Sequence, residues 1–192
     1  MVDGKKLIVS ASPHLRTRDT TRGIMLDVII ALIPTLIASV FIFGPRVLIV
    51  TCVTVGTAVI SEYLARKVMK RHNTIGDLSA IVTGLILAFN LPVTIPLWMA
   101  AIGSFFAIVV VKQFFGGIGQ NFANPAIAAR IVLLISFGQA MADWTAPLSW
   151  KTDAVSTATP LALIGTENEA QLPSLIDMLL GVRAGTIGET CS

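Results

Sequence analysis

"IMLDVIIALIPTLIASVFIF", residues 24–43, decides the fold. The run carries one charge, Asp27, and one proline, Pro34. About 20 helical residues cross a hydrocarbon core of about 30 Å, so this stretch is long enough to span a membrane. A second such run, 47–64, follows the turn "GPR" at 44–46. The chain as a whole agrees. Only 13% of its residues are charged, whereas soluble domains carry about 25%. Mean hydropathy is +0.81. There are too few charges to cover a water-facing surface, and the solvent this chain expects is lipid.

Three further apolar runs are shorter or nearly full length: 79–89, 97–112 and 126–137. Eleven residues make about 17 Å of helix, roughly half a bilayer. A helix that stops there needs a polar, protein-buried place to end, because bare backbone cannot end in lipid. The fold class expected is therefore all-α integral membrane, with about five membrane helices, some of them short or broken. Pro34 is expected to kink the first.

The net charge of +3 does not point to nucleic acid. The basic residues sit in short segments between apolar spans, where they report topology. Lys5, Lys6, Arg16, Arg18 and Arg22 precede the first span; Arg66, Lys67, Lys70 and Arg71 follow the second; Lys112 follows the fourth. The opposite loops hold only Arg46, Lys151 and Arg183. The bias puts the N-terminus in the cytoplasm and residues from about 139 to 180 outside it. The first twenty residues lack an apolar h-region, so no cleavable signal peptide is expected. The organisation expected is a cytoplasmic segment 1–23, a helical region 24–138, an extracytoplasmic loop 139–180 and the start of a further membrane segment at 181–192.

Few residues suggest chemistry by type and spacing. Cys52 reads as a small buried hydrophobe, and Cys191 stands alone near the end. No His, Asp or Glu spacing resembles a metal site, and His14 and His72 are isolated. Asp27, in the first turn of span one, has two readings. It is an ion or proton site on a translocation path, or, more plainly, an acid that helps cap a helix N-terminus. "KQFFGGIGQNFANPAIAAR", 112–130, is the most unusual loop. Gly116, Gly117 and Gly119 let backbone approach a ligand or another helix closely. Asn121 and Asn124 offer amides, and Pro125 suits a first helical turn. The loop is either a flavin or anion site at a helix N-terminus or a tight turn between membrane helices. Arg130 either neutralises a buried acid or phosphate or snorkels to the interface. "FNLPVTIP", 89–96, breaks the chain at two prolines, as at transporter sites, or is an ordinary outer loop. "TDAVSTATPLAL", 152–163, is dense in hydroxyls with no base beside them, and on chemistry alone reads as a polar loop.

Together these stretches, with "SASPHLRTRDTTRGIMLDVIIALIP", "GDLSAIVTGLILAFNLP" and "GTIGET", resemble a known family. It is the NqrB/RnfD family. RnfD is a membrane component of the Rnf complex, a ferredoxin:NAD oxidoreductase, and NqrB is its counterpart in the sodium-translocating NADH:quinone oxidoreductase. In that family a threonine carries FMN through a phosphoester to its hydroxyl, in the pattern Asp-x-x-Ser/Thr-small-Ala-Thr. The resemblance implies that Thr159 is the FMN carrier. It implies that Asp153, Ser156 and Ala158 are recognition positions for a separate flavin transferase outside the cytoplasm. Thr157 stands where a smaller residue is usual. The short N-terminal segment and "STAT" look more like RnfD than NqrB, which remains the alternative.

The resemblance further implies a multi-pass subunit of the bacterial cytoplasmic (inner) membrane, its five spans similar to the N-terminal half of a fold of about ten helices in two repeats. The chain stops at "GETCS" where the family continues, so either a truncated sequence or a second half that lies elsewhere is expected, and a noncovalent riboflavin of the family is an open expectation. The implied activity is electron relay from reduced ferredoxin to NAD, coupled to Na⁺ or H⁺ movement. The flavin supplies the redox chemistry and the protein fixes its position. The implied partners are the other membrane and peripheral subunits, the flavin transferase and the bilayer. No NAD or ferredoxin site is recognisable, so the chain alone does not read as a complete enzyme. A transporter or channel half, or a scaffold for redox partners, are the competing readings.

Overall fold

The computed structural model describes residues 20–72, 74–145, 147–148 and 184–188. Among them every regular element is a helix, with no strand. Helix α1 is Thr21–Phe43 and α2 is Arg46–Val68, 23 residues each. A 3-10 turn, Ile75–Asp77, leads into α3, Ser79–Phe89. Helix α4, Leu97–Phe106, runs on as a π-helix, Ala107–Gln113. Then come α5, Pro125–Ser136, and the single turn α6, Gly138–Met141.

Both long helices begin or end beyond their apolar runs. Thr20 caps α1 by accepting a hydrogen bond from Gly23 N at 3.1 Å, so the helix starts three residues before the run at 24–43. Asp27 therefore lies in the second turn, not the first, and does not cap it. Helix α2 continues past 64 to Val68, because Arg66 and Lys67 end the apolar count but not the helix. Basic residues in a last turn meet the partial negative charge of the C-terminus favourably. Both helices are long and apolar enough to cross a membrane, at about 34 Å each. Gly44, at φ 85°, makes the tight turn between them.

Glycines set how closely the shorter helices pack. A Cβ on Gly84 of α3 would stand 2.8 Å from Val55 Cα of α2, and one on Gly103 of α4 would stand 2.5 Å from Leu133 Cδ1 of α5. Val47, Val50, Leu87, Leu91, Ile95 and Leu133 form the core between them. The outside is equally apolar: Ile30, Ile60, Val68 and Ile135 are all exposed. A water-soluble protein does not wrap itself in such residues over whole helices, whereas lipid tails are as apolar as leucine. Together with the composition, this makes the chain an all-α membrane protein. Cys52, expected inside, is exposed on α2; lipid makes an outward position harmless for a small apolar side chain.

The segment 90–96 is not an ordinary loop. Leu91, Val93 and Ile95 are buried in it. Arg46 ties it to the start of α2, donating from Nε to Val93 O at 2.9 Å and from Nη2 to Thr94 O at 3.2 Å. Thr94 Oγ1 donates to Asp143 O at 2.9 Å. Residues 184–188 lie against the same segment, with Ile187 N donating to Leu91 O at 3.2 Å and Gly188 N to Phe89 O at 2.8 Å. Ser39 Oγ of α1 donates to Ile187 O at 2.7 Å, and Leu148 N donates to Ile42 O at 2.8 Å. The chain thus leaves for 149–183 and returns from it within one turn of the end of α1. Asp153, Ser156, Ala158 and Thr159 lie outside the described residues, as do Lys151, Arg183, Cys191, His14 and the basic residues before Thr20.

Candidate functional site

The most polar place in the described interior is one the sequence did not announce. Glu62, two turns from the end of α2, is fully buried. A carboxylate in an apolar span is costly unless it is paired and hydrogen-bonded, and here both conditions are met. Lys112 Nζ donates to Glu62 Oε1 at 3.1 Å and to Oε2 at 3.0 Å. Gln113 Nε2 donates to Oε1 at 2.9 Å, and Thr74 Oγ1 donates to it at 3.0 Å. Lys112 also donates to Ser79 Oγ at 2.6 Å, at the first residue of α3. Glu62 and Lys112 together therefore join α2, the residue that leads into the 3-10 turn, α3 and the π-helix.

The π-helix makes this possible. Its i→i+5 bonding widens each turn, so neighbouring side chains diverge less around the axis than on an α-helix. Lys112 and Gln113 are consecutive, and both reach Glu62. The bonds Phe114 N to Val109 O, 3.1 Å, and Gly117 N to Lys112 O, 3.0 Å, continue that spacing into the glycine loop. Lys112, expected to mark a cytoplasmic loop by its charge, is instead 2% exposed and committed to Glu62. The basic bias between the two ends keeps its sign without it.

The glycine loop runs past two arginines at and just beyond the end of α2. Gly116, Gly117 and Gly119 have φ of 117°, 109° and 79°, conformations that side chains resist. A Cβ on Gly117 would stand 2.6 Å from Arg66 Nη2. Arg71 Nη1 donates to Gln113 O at 3.0 Å. The close approach at Gly117 is to the Arg66 guanidinium. With its amide turned to meet the nearby carbonyls, Asn121 donates to Gly117 O at 3.0 Å and Lys112 O at 3.3 Å. Asn124 caps α5, its side chain accepting from Ala126 N at 3.0 Å, and Pro125 opens the helix.

Beside this loop lies an apolar groove of about 520 Å³ between the π-helix and α5, walled by Phe106, Val110, Phe115, Phe122, Ile127 and Ile131. Phe115 and Phe122 meet edge to face, centroids 4.9 Å apart. Among the six loop and helix residues proposed from sequence as flavin or anion contacts, Asn124 lines this groove. Gly116, Gly117, Gly119 and Asn121 serve the loop itself. Arg130 is directed elsewhere: its Nη1 donates to Asn90 Oδ1 at 2.8 Å, joining α5 to the C-terminal end of α3. That bond gives the broken end of α3 a polar anchor, as a helix stopping short of the interface requires. Asp27 is exposed on α1 and bonds none of these residues.

The model of the NQR2, RnfD, RnfE family matches residues 8–192. The D component of a Na(+)-translocating ferredoxin:NAD(+) oxidoreductase complex of Acetobacterium woodii is 46% identical over 186 residues, 95% of this chain and 58% of that protein. A proton-translocating counterpart of Clostridium ljungdahlii is 40% identical over 190 residues, 95% of this chain and 57% of that one. The D component of an ion-translocating oxidoreductase complex of Actinobacillus succinogenes is 37% identical over 183 residues, 93% and 52%. The chain thus spans somewhat over half the length of these relatives. With a family model covering all but its first seven residues, the chain belongs to the NQR2, RnfD, RnfE family.

Proposed function

We propose that this chain is a membrane subunit of an ion-translocating ferredoxin:NAD⁺ oxidoreductase complex and that it carries FMN on Thr159. The observation that carries the reading is the 46% identity, over 95% of the chain, to a relative whose name states that activity. On this reading electrons pass through the flavin between other carriers of the complex, and their flow drives Na⁺ or H⁺ across the membrane. The relatives' names divide between the two ions. NAD and ferredoxin are handled by partner subunits, and a separate transferase attaches the flavin.

Two structural observations support Thr159 as a carrier on the extracytoplasmic side. The flanks of 149–183 are pinned to the end of α1, through Ile42 O and Ser39 Oγ. The opposite end of the bundle holds Arg66, Lys67, Lys70 and Arg71, the excess that marks a cytoplasmic side. A noncovalent flavin is a second cofactor on this reading; the groove beside Asn124 has the volume for the apolar part of its ring system. Inverted membrane vesicles test the function. Vesicles holding the chain should couple oxidation of reduced ferredoxin to NAD⁺ reduction and cation uptake, and vesicles lacking it should lose both together. Cation flux through the chain alone, without electron transfer, would favour a transporter instead.

A further inference from the structure

Helix α1 carries a charge where none can stay uncovered. Asp27 is exposed, and it makes no hydrogen bond or ion pair with any described residue. It lies six residues into a helix of 23, about 9 Å along the axis. A helix of about 34 Å overshoots a 30 Å core by only about 2 Å at each end, which leaves Asp27 within the hydrocarbon. Carboxylates on ion paths face a bundle interior or a wet cavity; this one is exposed on α1. One turn further on is a second polar atom on the same side. Pro34 sits inside α1 and has no N–H, so the carbonyl of Ile30 lacks its ordinary helical donor. Ile30, Ala31, Pro34 and Ile37 continue the exposed stripe from Asp27.

We infer that this stripe of α1 is the docking face for a membrane helix of a partner subunit, which presents a lysine or arginine to Asp27 and to the free carbonyl of Ile30. The charge decides the chemistry of the occupant: lipid tails offer neither atom a donor, whereas a cationic side chain satisfies the carboxylate and has donors left for the carbonyl. Ala31 lets another backbone come close, as small residues do at membrane helix contacts. The inference rests on the proposed membership of a complex, which the relatives' names support.

The test places a photocrosslinking residue at Ile30 in the complete complex, in native membranes, and compares Asp27→Lys and Asp27→Asn with the unaltered chain. Irradiation should join this chain to one other membrane subunit. Asp27→Lys should abolish the adduct and reduce co-purified partner at least tenfold, with the amount of this chain in the membrane unchanged, and Asp27→Asn should fall between. An adduct formed only with lipid, or only within this polypeptide, would overturn the inference. So would an adduct and a partner yield that Asp27→Lys leaves intact. If the unaltered chain brings down no partner, the complex itself is refuted; partner without adduct refutes only this face.

Discussion

Lys112 Nζ lies 3.0 Å from Glu62 Oε2, and the two side chains are 2% and 1% exposed. Removing one member leaves the other charged and unpaired in a dry interior. Lys112→Met or Glu62→Gln should each destabilise the bundle by about 3–5 kcal/mol, read as loss of folded subunit on heating the complex in detergent. The double variant Glu62→Gln with Lys112→Met should recover much of that loss, since no bare charge remains. Additive losses would show that the pair is not a unit.

Gly84 and Gly56 make a matched comparison on the packed α2 and α3. A Cβ at Gly84 meets Val55 Cα at 2.8 Å, and backbone cannot step aside; a Cβ at Gly56 meets nothing within 4 Å. Gly84→Ala should cost about 1–3 kcal/mol by overpacking. Gly56→Ala should be neutral or stabilise by up to about 1 kcal/mol through helix propensity. Thermal unfolding of the two variants checks the order, and a reversed order would contradict the α2–α3 contact.

Arg46 fastens the 90–96 segment through the carbonyls of Val93 and Thr94. Bonds from a charged donor contribute about 1.5–3 kcal/mol each, so Arg46→Ala should speed amide exchange in 90–96 and 184–188 by roughly tenfold or more. Exchange at 58–68, at the other end, should not change. Arg46→Lys should behave nearly as Arg46→Ala, because one ammonium does not reproduce the guanidinium fork. Equal acceleration at both ends would mean that Arg46 supports the whole bundle and not this segment.

Much of this molecule was legible in its sequence, for reasons that differ by element. The run at 79–89 became α3 to the residue, because Leu78 and Asn90 bound it with turn conformations. Asn124 and Pro125 opened α5 as their types suggest. The ends of α1 and α2 were misjudged by one turn, since hydropathy marks where lipid contact stops and hydrogen bonding carries the helix further. Glu62 is a signal that composition alone does not interpret. It is the single acid in the run 47–64, and a buried acid implies a buried partner. What hid the partner was Lys112, which at the edge of its own apolar run looks like an ordinary flanking charge. Only the π-helix, invisible in composition, turns it inward. Arg130 was open between an acid, a phosphate and the interface; an amide, Asn90, proved to be a partner.

The central claim, that Thr159 carries FMN, is tested most directly by a denaturing gel of the purified complex, made with its flavin transferase present and viewed under ultraviolet light. The band of this chain should fluoresce in the unaltered protein and be dark in Thr159→Val, with Ser156→Ala and Asp153→Ala dimmed through poorer recognition. A dark band in the unaltered protein, or one equally bright in Thr159→Val, would contradict the account.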